Sequence, residues 1–336
     1  MNELVSKLQK YLSEKRGNNN ITIENLEKLN LGFETEKYSF TELSTVDKKT
    51  IANKFVLRMF PENCDSYGVK NEFTVMDRLY KEGFPVPRVI LYEEDKSILG
   101  GPFLMMEYIE SKMFYTKVIN TTPDQQENWM KRFAELLVKL HQIDWKKIII
   151  DKAPKNLDNP FFSFDVYITE YIADWRKHGF TLYKSTLDWL KKQRENYPAK
   201  RLGLNHRDFH FANVIVAEDD SLFLVDWSYP NVSDIRMDIA NAFCIFNMEK
   251  QGKLGNLFLE YYEEISGEPI GELSFYEVLS AIQLLFFCVI SIEKLEEDSE
   301  EYKKRLNSFR FWIENLYEFL VERTQIRIPE IEVLLE

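Results

Sequence analysis

Two short stretches concentrate residues able to do chemistry. HRDFHFANV, at 206–214, holds two His, an Arg, an Asp and an Asn within eight residues, and LFLVDWS, at 222–228, closes an apolar run on a lone Asp. Asp208 and Asn213 stand five residues apart, and Asp226 follows Asn213 by thirteen. Phosphoryl transfer from a nucleoside triphosphate asks for these types. One carboxylate must face an acceptor hydroxyl, a carboxylate and an amide oxygen must hold Mg2+ against the phosphates, and a cation must steady the nucleotide. The intervening VIVAEDDSLFLVDW reads as a β-hairpin with EDDS as its turn, so one loop and one strand end could present all three oxygens to a common space. Taken alone, the same residues also describe a polar loop beside a buried strand.

The elements that would position these groups can be read from periodicity. Upstream, Tyr38, Phe40 and Leu43 suggest a strand, and IANKFVLRMF alternates Phe55, Leu57 and Met59 as a half-buried strand with Val56 and Arg58 on its other face. VKNEFTVMDRLYKEG reads as a helix carrying Phe73, Met76, Leu79 and Tyr80 on one side and closed by Gly83. FPVPRVILYEE and GGPFLMMEYI are two further strands with a Gly-rich turn between them. After Ile109 the pattern turns helical. Thr122 and Pro123 open a helix with Trp129, Phe133, Leu136, Leu137 and Leu140 on one face, and further helices are expected at about 163–177, 184–195, 236–250, 256–266, 274–295 and 300–323. The division expected is 1–109, with a leading helix at about 3–16, and 110–336. A cation on a strand, Arg58, is thus followed by a carboxylate on the next helix, Glu72, and then, in order, by the two stretches above.

In these stretches the chain resembles the aminoglycoside phosphotransferase and choline kinase-like small-molecule kinases, from about Ile21 to Phe246. His-x-Asp-x4-Asn followed by an apolar strand ending in Asp is similar to the kinase catalytic loop and metal segment. FVLRMF, NEFTVMDRLYKEGFPVPRVI, GGPFLMMEYIE, LVKLHQID and DIRMDIANAF resemble that family's small-lobe strand, helix and strand, hinge, helix end and closing Asp segment. The resemblance implies an α+β, protein-kinase-like bilobal fold: a small N-terminal lobe of antiparallel sheet plus one helix, and a larger, mostly helical C-terminal lobe. It implies an enzyme that uses ATP (or GTP) and Mg2+ to phosphorylate a hydroxyl of a small molecule. By the same resemblance Asp208 is the base, Asn213 and Asp226 hold Mg2+, Arg58 meets the phosphates while paired to Glu72, and Asp238 braces the catalytic loop. Gly32 belongs to the phosphate loop, and the backbone of Met106, Glu107, Tyr108 and Ile109 to the adenine hinge. Two departures stand out. LNLGFETEKYS has only Gly32, with Glu34 and Glu36 adding negative charge, and Arg207 stands where many relatives carry Gly. Asp238 follows Asp226 by only twelve positions, too few for a long activation loop, which points away from a protein acceptor.

Composition bounds the rest. The chain has 336 residues, 45% of them apolar and 14% aromatic, as a folded protein does. Its net charge of -12 argues against a general nucleic-acid binder and suits an amine-bearing acceptor such as an aminoglycoside. Choline, ethanolamine or a sugar are alternative acceptors, and a nucleotide-binding regulatory protein is the alternative class. Cys64, Cys244 and Cys288 lack paired spacing, which fits the cytoplasm. The run at 278–292 contains Ser280, Gln283 and Ser291 and reads as a core helix, so no membrane partner is expected. Oligomeric state has no signal. His206 reads as a hydrogen-bonder of the loop backbone, and His210 as either facing the acceptor or packing under the loop. His141 reads as structural and His178 as exposed. Tyr167, Tyr171, Trp175, Trp189 and Trp312 read mainly as packing, with a cage for a quaternary ammonium as the sharper alternative.

Overall fold

The computed structural model describes residues 2–29, 35–46, 49–62, 66–149, 157–177, 184–293, 295–296 and 299–336. By density of contacts the chain forms two units, 1–113 with 214–230, and 114–213 with 231–336.

The first unit opens with α1 (Asn2–Arg16), β1 (Ile21–Leu29), β2 (Glu36–Val46) and β3 (Lys49–Met59), then α2 (Ser66–Lys81), β4 (Val89–Glu93), a short α3 (Lys96–Leu99), β5 (Phe103–Glu107) and β6 (Ser111–Met113). Five of these strands make one antiparallel sheet in the order β1-β2-β3-β5-β4. Alternation along the strands builds two faces. Leu8 and Leu12 of α1 pack with Tyr38, Phe40, Leu57, Phe103 and Met105 on one. Register sets Arg58 opposite Leu104, and so on the other face. The first half of β3 is exposed, as its polar sequence dictates, but from Phe55 onward both faces are covered. Arg58, expected on a half-buried strand, is therefore only 2% exposed.

The second unit begins with α4 (Phe114–Ile119), α5 (Pro123–Gln142), α6 (Trp145–Ile148), α7 (Phe162–Lys177), α8 (Lys184–Gln193) and β7 (Leu202–Asn205). At the start of α5, Thr122 N–H donates to Gln125 Oε1 at 3.3 Å and Pro123 occupies the first turn. The chain then returns to the first unit as a hairpin, β8 (Val214–Ala217) and β9 (Leu222–Leu224). Its place there is fixed by pairing of β8 with β6 and by Leu224 N–H donating to Pro85 O at 2.9 Å. The sequence reading, with a single cut after 109, puts that hairpin in the C-terminal part.

The second unit resumes with β10 (Asn231–Asp234), α9 (Arg236–Met248), α10 (Gly252–Ser266), α11 (Ser274–Glu293), α12 (Glu300–Thr324) and α13 (Pro329–Leu335). β10 pairs antiparallel with β7. Phe133 of α5 lies at the centre of an aromatic cluster with Phe114, Phe209, Phe246 and Phe258, each ring within 6 Å of it. Ser274–Ile292 is long and apolar enough to cross a membrane, yet it is mostly buried, and α8, α9 and α12 pack against it. Its burial, more than its length, marks it as a core helix.

Candidate active site

In the first unit, Arg58 leaves the sheet on the face where α2 lies. Arg58 Nη1 donates to Glu72 Oε1 at 2.7 Å, and both side chains are buried. Arg58 Nη2 lies 2.8 Å from both Ser228 Oγ and Asp226 Oδ1, and the Ser228 hydroxyl donates to Asp226 Oδ1 at 2.9 Å. The β2–β3 register sets Lys37 directly opposite Arg58, hence on the same face, and Lys37 Nζ donates to Asp226 Oδ2 at 2.9 Å. Asp226 holds φ at 68°, and the adjacent Trp227 is fully buried, edge-on to Phe84, with its indole N–H on Leu224 O. The Trp of DWS therefore anchors the segment that turns Asp226 toward the cations.

Two opposed effects act on each carboxylate. Burial alone would raise the Asp226 carboxyl, but Arg58 and Lys37, with the Ser228 hydrogen bond, hold it well below the ordinary carboxylate range. Burial pushes Glu72 up to about 6, against the pull of Arg58, and the nearby Asp226 charge adds to the rise. The same guanidinium serves both acids, and the more deeply buried one is the harder to ionise.

Met106 and Glu107 end β5, paired with Val56 and Phe55 of β3. Glu107 Oε1 accepts from Arg88 N–H at 2.8 Å, and Tyr108 N–H donates to Lys54 O at 3.1 Å while Lys54 Nζ sits 3.8 Å from the Tyr108 ring centroid. Ile109 O accepts from Ser111 Oγ. These contacts fix the segment expected to meet adenine. Gly32 and Glu34 lie outside the described residues. Glu36, expected to add negative charge in the phosphate loop, is the first residue of β2. Being next to Lys37 in the strand, it points to the opposite face, where it pairs with Lys28 and accepts from the Tyr38 hydroxyl.

In the second unit, β7 delivers the loop 206–213. Asp238, fully buried in the first turn of α9, accepts from His206 N–H on Oδ2 and from Arg207 N–H on Oδ1, both at 2.7 Å. Arg207 holds φ at 69°, a conformation that suits glycine, and its guanidinium lies 5.0 Å from the Tyr167 ring centroid. Asn213 Nδ2 donates to Asp208 O at 2.9 Å and to Asp208 Oδ2 at 2.8 Å, which turns the amide oxygen the other way. His210 Nε2 lies 3.4 Å from Asp208 Oδ1, and Nδ1 accepts from Ala212 N–H, so the ring faces the carboxylate rather than the core. The Asp208 side chain is 45% exposed. A held yet accessible carboxylate on a braced loop is suited to meeting a substrate group.

His141, read as a structural hydrogen-bonder, bonds Tyr262 Oη through Nδ1 at 2.7 Å and sets Nε2 3.6 Å from Asp238 Oδ2. Among the expected aromatic residues, Tyr167 is buried and Trp312 stacks on Phe309. His178, Cys64 and the side chains of Tyr171 and Trp175 fall outside the described residues. Lys37 and Ser228 were not singled out by sequence. A lysine in a strand reads as a solvent-facing residue, and only pairing β2 with β3 would have shown it opposite Arg58.

Each unit by itself carries a donor of the type a hard divalent ion takes: Asp226 an ionised carboxylate, and Asn213 an amide oxygen. Among the described residues no three His, Cys, Asp or Glu side chains gather as metal ligands. One or two protein oxygens supplemented by phosphate are the usual holding of Mg2+.

Residues 26–274 match the model of the phosphotransferase enzyme family. A probable acyl-CoA dehydrogenase of Arabidopsis thaliana is 25% identical over 251 residues, 71% of this chain and 30% of that one, so the chain spans under a third of that relative's length. A Ralstonia eutropha protein assigned as an aminoglycoside phosphotransferase is 16% identical, with a TM-score of 0.67 over 94% of this chain and 98% of the other. A thermostable mutant of the aminoglycoside phosphotransferase APH(4)-Ia, in complex with ADP and hygromycin B, is 15% identical, with a TM-score of 0.58 over 90% and 97%. The last two are likenesses of fold: α+β and protein-kinase-like, with antiparallel sheet in the N-terminal part and helices in the C-terminal part.

Proposed function

The chain belongs to the phosphotransferase enzyme family, and from that premise we propose that it transfers the γ-phosphate of ATP to a hydroxyl of a small molecule, with Mg2+. The observation that carries the reading is Asp208, an accessible carboxylate whose Oδ2 is held by Asn213 in a loop braced by Asp238. Asp208 orients the acceptor hydroxyl and takes its proton as the oxygen–phosphorus bond forms. Arg58, kept in place by Glu72, meets the nucleotide phosphates, and the 106–109 segment receives the base. Asp226 and Asn213 supply oxygens to the metal, which when bound neutralises phosphate charge. Most of the rate enhancement then comes from positioning and fixed charge.

An amine-bearing acceptor is favoured by the net charge of -12 and by the hygromycin B bound in a protein of like fold. The test is ADP release across a panel of aminoglycosides, choline, ethanolamine and sugars, with Asp208→Ala and Asp226→Ala as controls. Turnover on an acceptor that vanishes in both variants supports the reading. Variants that keep wild-type turnover overturn the site, and nucleotide binding without turnover on any acceptor favours a regulatory nucleotide-binding protein.

A further inference from the structure

Within the first unit, two cations and two carboxylates form one cluster: Arg58 and Lys37, Glu72 and Asp226. Arg58 alone reaches both acids, at 2.7 and 2.8 Å. Lys37 is thus a second cation on an acid that Arg58 already pairs, and its position has a cost, because like charges directly opposite on neighbouring strands repel. Its ion pair is with Asp226 Oδ2, the carboxylate proposed above as a metal ligand. The Lys37 side chain is 15% exposed, so it lies at the edge of the buried cluster rather than within it.

The cluster is neutral as it stands. Once Asp226 gives an oxygen to a divalent cation, Lys37 loses its counter-charge beside a site that must accept a polyanion. A lysine ammonium with three donors on a flexible stem is well made to follow phosphate oxygens. The stretch LNLGFETE that precedes it carries one glycine, so little of it favours the close backbone approach that glycine permits, and a side-chain cation can do that work instead.

We propose that Lys37 is a phosphate-binding residue of this site, held on Asp226 in the metal-free protein and transferred to the nucleotide phosphates when Mg2+ and ATP bind. The proposal rests on the phosphotransferase reading and adds to it a residue and an exchange of partners. It is tested by calorimetric titration of the full chain with ATP and with adenosine, each with Mg2+ and with EDTA, for the wild type, Lys37→Met and Lys37→Arg.

The expected result is that Lys37→Met weakens ATP binding in Mg2+ about tenfold, the size of one charge-assisted hydrogen bond. Adenosine binding stays unchanged, Lys37→Arg recovers most of the loss, and the gap narrows in EDTA, where Lys37 remains on Asp226. Unchanged ATP affinity in Lys37→Met, or equal losses for ATP and adenosine, overturns the proposal, since a purely structural role would move both ligands together. A wild type that binds neither ligand refutes the phosphotransferase reading itself, before any variant is compared.

Discussion

Replacing Asp238 by asparagine exchanges one oxygen for an amide nitrogen in a side chain with no exposed surface. Each carboxylate oxygen now accepts one backbone N–H at 2.7 Å, from His206 and from Arg207. Asparagine can accept only one of them. The retained bond falls from a charged to a neutral one, a loss of about 1 kcal/mol, and the other N–H faces an NH2 group and is left unsatisfied, at about 2 kcal/mol. His206 is fully buried, so water cannot take over. The sum is about 3 kcal/mol, or about 6–12 °C in the melting temperature of a domain of 150–250 residues. The loop that carries Asp208 also loses its brace, and a displacement of about 1 Å at a reacting group can cost about a hundredfold in rate. Urea unfolding followed by tryptophan fluorescence, with acceptor-dependent ADP release measured in parallel, gives both numbers. An Asp238→Asn protein within about 0.5 kcal/mol of wild type and with full turnover would refute the reasoning.

Two predictions concern pH. Burial raises the Asp226 carboxyl, but Arg58 and Lys37 outweigh it and depress the folded-state value, so its contribution to stability is fully present above about pH 4 and is lost as pH falls below that. Asp226→Asn should flatten the acid limb of the urea-midpoint profile, and an unchanged limb contradicts the assignment. Glu72 has the opposite sign. Burial lifts it from 4.5 to about 6, so the folded state holds the proton more tightly, and the stability this gives is present below pH 4.5 and disappears as pH rises through about 6. Glu72→Gln should remove that decline between pH 4.5 and 6; an equal slope in the variant would show that another group titrates there.

How much of this could be read beforehand follows from what each residue's signal depends on. Asp208, Asn213 and Asp226 were legible because their types and spacing are set within one loop and hairpin. Arg58 and Glu72 were legible because a strand and the next helix present them in order. β1 was missed because, as an edge strand, it fully buries only Ile21 and Ile23, leaves Leu26 and Leu29 half-buried and exposes its polar residues. β6, β7 and β10 are three or four residues long, too short for a period to show. Lys37 depends on inter-strand register, and the link from His141 toward Asp238 on three-dimensional packing, neither of which a single sequence prints. The pairing of Glu36 with Lys28 likewise depends on the strand face it occupies.

Asp208→Asn is the variant closest to the central claim, since it keeps the side chain's size and removes the carboxylate that accepts the hydroxyl proton. The measurement is a rapid-quench single turnover of γ-labelled ATP onto an acceptor found by the panel, with ATP affinity titrated in the same preparation. Transfer is expected to slow by about a hundredfold or more while ATP affinity and the melting temperature hold. Transfer at the wild-type rate in Asp208→Asn would contradict the claim.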